Sequence, residues 1–171
     1  MSRGLGDVYK RQETFPSIEE QEASSKILQP KEAIRQILCS EELGDFAWNK
    51  LYKCSLFQEI QYPYGRMLED LGTTYRLFEK CVHIVYCPVP LYFYYQRPDS
   101  ILHKRTLKFY EDKWDMGCQR YRYIREKYPD MLENDAAMMK IVEHCYPYLR
   151  KDERRKAEME RFLQEFRTEA E

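Results

Sequence analysis

The chain has 171 residues, enough for one domain with a real core and an appendage. A net charge of −1 gives no electrostatic basis for binding nucleic acid, which needs a basic face. Six scattered cysteines, none in C-x-x-C spacing, give no indication of a zinc knuckle or a redox pair and point to free thiols in a reducing compartment.

Residues Met1 to Gln12 have neither helical nor strand periodicity and no link to the residues after them, so they read as a leader that is non-native or disordered. The run has the look of a translated sequencing-adapter scar, in which case the gene continues upstream and this chain is a fragment. Glu13 to Ser25 is polar and reads as loop. Pro30 opens a helix over Lys31 to Leu38, because a missing N–H costs little at a first helical position. Gly44-Asp45 marks a turn, and Phe46 to Tyr52 a short extended stretch or helical corner. Ser55-Leu56-Phe57 is expected as one helical turn, and Pro63-Tyr64-Gly65-Arg66 as loop.

Glu69 to Cys81 is expected to be helical, with Leu71, Thr74/Tyr75 and Phe78 on one face. Two strand-like runs come next, His83 to Cys87 and Pro90 to Tyr95, separated at Pro88. The longest apolar stretch, Cys81 to Tyr95, is too short to span a bilayer. From Thr106 the period turns helical, and Leu107, Tyr110, Trp114, Cys118, Tyr121, Ile124 and Tyr128 form one stripe. Pro129 and Pro147 punctuate two further helices, over about Met131 to Tyr146 and Lys151 to Arg167. The last helix alternates charges around Met159, Phe162, Leu163 and Phe166, and its mixed signs argue against purely electrostatic membrane binding.

The chemistry concentrates in one series. Trp48-Asn49-Lys50-Leu51-Tyr52-Lys53 precedes a Leu56-Phe57 turn, then the Tyr62-Pro63-Tyr64-Gly65 loop, then Glu69-Asp70. Each element alone has a plain reading: Trp48 as core, Asn49 as a turn residue, Lys50 as a solvated charge, Glu69-Asp70 as an acidic helix start. In this order and spacing the series resembles the acceptor-side half of a family 2 glycosyltransferase.

That resemblance covers about Lys31 to Ile101 and implies an α/β fold. It would be a truncated GT-A (nucleotide-diphospho-sugar transferase) domain over residues 13–104, with a C-terminal α-helical extension over 105–171 and the leader at 1–12. It implies an enzyme that moves a sugar from a nucleotide-sugar donor to an acceptor hydroxyl, with inversion, in cell-surface polysaccharide or glycoconjugate synthesis. Asp70 would be the catalytic base and Glu69 its neighbour at the acceptor. A carboxylate in the first turn of a helix is held ionised by the N–H dipoles there, which suits that role. Trp48, Asn49 and Lys50 would belong to the acceptor side, an indole face for a sugar ring and polar groups for its hydroxyls.

Tyr94 to Ile101 resembles the loop that closes over the nucleotide, so Gln96, Arg97 and Ser100 would contact the donor and its diphosphate. The family commonly has a basic residue where this chain has Tyr95, a departure that Arg97 would have to make good. By the resemblance His103 could be a metal or phosphate ligand near this loop, but a lone histidine is far more often a surface residue and is read so. No Asp-x-Asp occurs anywhere in the chain. The divalent metal (Mg or Mn) of a full-length enzyme, with the nucleotide-binding half that holds it, is therefore expected upstream, and the chain alone is expected to be inactive. The implied partners are the nucleotide sugar and a glycan or lipid-linked acceptor, in the cytoplasm or peripherally at the inner face of the membrane. The competing reading is a non-catalytic interaction module derived from the same fold. A fragment should show an uncovered sheet edge and an exposed apolar patch where a further layer would pack.

Overall fold

The computed structural model describes Ser17, Glu19, residues 24–39 and 43–88, Tyr95, and residues 105–168. The described residues are mostly helical, with a small two-stranded sheet. In chain order they form strand β1 (Lys26–Leu28), helix α1 (Pro30–Cys39), helix α2 (Thr74–Glu79), strand β2 (Ile84–Tyr86), and the long helices α3 (Leu107–Lys127), α4 (Glu133–Leu149) and α5 (Glu153–Thr168). Two 3-10 turns, Ala47–Asn49 and Cys54–Gln58, lie between α1 and α2. The leader 1–12 and most of the predicted strand Pro90–Tyr95 lie outside the described residues.

Helix α1 starts at the expected proline, and Ala33, Ile34, Ile37 and Leu38 place an apolar stripe inward. Strands β1 and β2 pair antiparallel, Ile27 opposite Val85 and Leu28 opposite Ile84. One face of this ribbon carries buried Leu28 and half-buried Ile84 and Tyr86 onto a core with Ile34, Ile37, Tyr75, Phe78, Ile124 and Met131. On the other face Ile27 and Val85 remain 70% and 66% exposed.

Helices α3, α4 and α5 form a second packed body around Trp114, Tyr121, Met138, Ile141, Val142 and Met159. Contacts between α3 and α4 run in opposite sequence directions, Tyr121 with Asp135, Lys113 with His144 and Tyr110 with Cys145, so the two are antiparallel. Between α3 and α5 they rise together, Glu111 with Arg155, Trp114 with Glu158 and Tyr121 with Phe166, so these two are parallel. Gly117 permits the close α3–α4 approach, because a Cβ there would lie 2.7 Å from Ile141 Cδ1. The expected stripe on α3 is buried from Tyr110 to Ile124, whereas its first member, Leu107, is exposed.

Two boundaries differ from expectation. Helix α2 begins at Thr74 rather than Glu69, and residues 69–73 form turns. The Asp70 side chain accepts a hydrogen bond from the Leu71 N–H, and Gly72 comes next, both of which disfavour a regular helix start. Helix α4 continues through Pro147 to Leu149. Burial of Cys145 and Leu149 in the core outweighs one missing N–H in the last turn.

Candidate functional site

Two loops build the site. The first runs from Leu43 to Tyr52. Gly44 turns the chain at φ +49°, a conformation glycine adopts without strain. The Lys50 ammonium then donates to the backbone oxygens of Leu43 (2.9 Å), Gly44 (2.8 Å) and Phe46 (2.7 Å), and to Asn49 Oδ1 (2.7 Å). An ammonium has three N–H donors, so four oxygens saturate it. Asn49 donates in turn to the Leu43 oxygen at 3.4 Å. Of the three predicted acceptor residues, Asn49 and Lys50 thus staple their own loop. Trp48, stacked on Phe46 with ring centroids 5.4 Å apart, is the one that presents a half-exposed aromatic face.

The second loop runs from Met67 to Thr73. Its Asp70 backbone oxygen accepts from the Thr73 and Thr74 N–H groups at 3.0 and 2.9 Å, which starts the turn leading into α2. Burial lifts the Asp70 carboxyl to about 6, with Asp45 and Glu69 pushing the same way and the Leu71 N–H opposing. The expected cause and sign are therefore overturned: no helix dipole holds this carboxylate ionised, and desolvation makes it easier to protonate. A carboxyl that titrates near neutrality is still well matched to proton transfer. Glu69 is exposed beside it.

The loops meet electrostatically. The Asp70 charge acts on Lys50, Tyr52 and Tyr62, and the Asp45 charge on both Asp70 and Lys50. Burial draws Lys50 down to about 8. Asp45, itself pushed up by burial, is opposed by Arg120 of α3, whose Nη1 donates to Asp45 Oδ2 at 2.7 Å. The Tyr52 hydroxyl interacts with the hydroxyls of Tyr62 and Thr74, while Asp45 Oδ1 and Thr73 Oγ1 are buried without a hydrogen-bond partner among the described residues. A buried polar atom left without any partner costs about 1–3 kcal/mol relative to a satisfied one, so such atoms gather where something other than stability shapes the surface.

Sequence reasoning reached Asp70 and Trp48 but assigned no role to Asp45, Tyr52, Tyr62 or Thr73. The signal for the tyrosines lay in the Trp48–Asp70 series itself, where both flank the turn before Glu69-Asp70. Gln96, Arg97 and Ser100 lie outside the described residues, as does His103. Among the described residues no group of three or more His, Cys, Asp or Glu side chains is placed to hold a metal ion. The divalent metal implied by the resemblance thus has no fitting donor set among the described residues. Among the described residues, too, no helix is long and apolar enough to cross a membrane. No family model, curated protein or solved structure matches the chain.

Proposed function

We propose that the chain is the acceptor-side part of an inverting family 2 glycosyltransferase of GT-A fold. It would serve transfer from a nucleotide sugar to a hydroxyl of a glycan or lipid-linked acceptor at the cytoplasmic face of a membrane. One observation carries the reading: the carboxyl singled out as the base, Asp70, is buried between the two loops beside the Tyr52 and Tyr62 hydroxyls and titrates near neutral pH. Asp70 takes the proton of the acceptor hydroxyl as that oxygen bonds to the anomeric carbon. The bond from that carbon to the diphosphate breaks, and its electron pair leaves with the nucleoside diphosphate. Trp48 offers its ring to the acceptor sugar, while Asn49 and Lys50 keep the loop beneath it in shape. The uncovered Ile27–Val85 face of the ribbon also supports the reading, since a donor-side layer would need such a surface.

The test is sugar transfer by the protein of the complete reading frame, supplied with a panel of nucleotide sugars and manganese. Replacing Asp70 by Asn should cut kcat by about 10²–10⁴ with KM for the donor little changed. Full turnover in Asp70→Asn would remove Asp70 from the chemistry. No transfer from any donor, together with binding of a protein partner, would favour the interaction-module reading.

A further inference from the structure

Three residues of α3 at four-residue spacing, Asp112, Met116 and Arg120, share one helix face, and that face meets the site instead of the helical bundle. Asp112, 1% exposed, accepts from Arg66 Nη1 at 2.6 Å and from the Met67 backbone N–H at 2.9 Å, three residues before Asp70. Lys108 donates to the same carboxylate at 2.8 Å. Burial alone would raise this carboxyl, but Lys108, the Met67 N–H and Arg66 together hold it below the usual range. Met116 lies so close to Gly72 that a Cβ on that glycine would come 2.4 Å from its Sδ. Arg120, 6% exposed, reaches Asp45 of the other loop. Farther along, Tyr123 meets Tyr75, and Lys127 and Tyr128 bind Glu79. The segment from Arg66 to Glu79 therefore lies along α3 from Asp112 to Lys127, over about 22 Å of helix.

Buried charges are a poor way to gain stability, because apolar residues of similar volume often do as well or better. What a buried ion pair does supply is a fixed geometry. Here both buried charges on α3 are spent on the loops, whereas Trp114, Cys118 and Tyr121 on its other side pack into the bundle.

We propose that α3 is the positioning element of the candidate site: Asp112, Met116 and Arg120 lock the Met67–Gly72 loop and the Asp45–Lys50 loop in one fixed relation around Asp70. The proposal rests on the reading of Asp70 as the reactive carboxylate. Asp112 and Arg120 act through the loops and touch no substrate.

The experiment follows the Asp70 carboxyl by carbon-detected NMR titration and the backbone amides by hydrogen exchange in the intact chain. Burial sets the Asp70 midpoint first, and the Leu71 N–H, Asp45 and Glu69 adjust it. Lys50, Tyr52 and Tyr62 feel the Asp70 charge, and Arg120 acts through Asp45. Asp112→Ala should speed exchange of the amides from Met67 to Thr73 by about tenfold or more, with Ile141 and Val142 in α4 close to their original rates. It should also lower the Asp70 midpoint as water enters. Arg120→Met leaves Asp45 without its cation, so Asp45 takes a proton and ceases to repel the Asp70 charge. The Asp70 midpoint should then fall, while Arg120→Lys should keep it near the original value. Unchanged loop exchange, equal acceleration in the loop and α4, or an Asp70 midpoint indifferent to Arg120→Met would each overturn the proposal. If Arg120→Met fails to fold, the Asp112→Ala exchange pattern decides. No sugar enters these measurements, so an active Asp70→Asn enzyme would defeat the proposed function and leave this result standing.

Discussion

The loops from Leu43 to Thr73 and the three helices from Leu107 to Thr168 pair their charges to different extents, although unpartnered Arg155 Nε and Lys113, drawn down by burial, show that the helices have buried polar strain too. In the helical body Arg155 reaches Glu111, Asp115 and Asp152, Trp114 donates to Glu158, and Tyr146 donates to Glu160. In the loops Asp45 Oδ1 and Thr73 Oγ1 lack a partner among the described residues, and burial drives three ionisable groups toward neutrality, Asp45 and Asp70 upward and Lys50 downward. The difference shows where the chain holds its stability and where it gives some up. Regular helices with matched charges form a rigid backing, and irregular loops laid on that backing carry the reactive groups.

The comparison breaks most visibly if the backing is damaged. Trp114 is fully buried, edge-on to Phe162 at 6.0 Å and bonded to Glu158. Trp114→Ala should cost about 3–5 kcal/mol in urea unfolding. Because the loops lie along the same helix, loop and bundle probes should lose structure together. A smaller effect is expected at Gly117, where a methyl group must push Ile141 aside: Gly117→Ala should cost about 1–3 kcal/mol. A Gly117→Ala protein as stable as the parent would mean that α3 and α4 can separate without penalty.

How much of this was readable in advance depends on the range of the forces involved. Helices α1 and α3 were legible because their signals are local, Pro30 with its apolar stripe and the run from Tyr110 to Ile124. Strand β1 was not, since three residues give no period and the partner that stabilises them lies at Ile84–Tyr86. Asp70 was legible as a position from its neighbours in sequence. Its ionisation was misjudged, because the sequence advertises a helix start while the decisive quantity, burial beside Asp45, arises only when two loops fold onto α3. For the same reason Arg120 gave no hint of its role. Its partner is 75 residues away, and an arginine in an amphipathic helix reads as solvated until the fold buries it.

The smallest expected effect sharpens the comparison most, because its sign is unusual. The Asp70 carboxyl titrates at about 6 in the folded chain against an ordinary 3.8. A raised folded value means that the neutral acid is the favoured buried form. Its contribution to stability is complete below the unfolded value and is lost as pH rises through the folded one. Above about pH 6 the folded protein therefore carries a partly desolvated carboxylate, at a cost of about 1–2 kcal/mol once its residual solvent exposure is allowed for. Asp70→Asn keeps an oxygen to accept the Leu71 N–H and removes the charge. The variant should match the parent near about pH 4 and exceed it by about 1–2 kcal/mol near about pH 8, measured by urea unfolding at both. Subtracting parent from variant cancels the titrating groups that do not interact with Asp70, leaving its own titration and its coupling to Asp45, Glu69 and Lys50. A variant equally stable at both pH values would mean that Asp70 is solvated, and the loops would then differ from the helices only in shape.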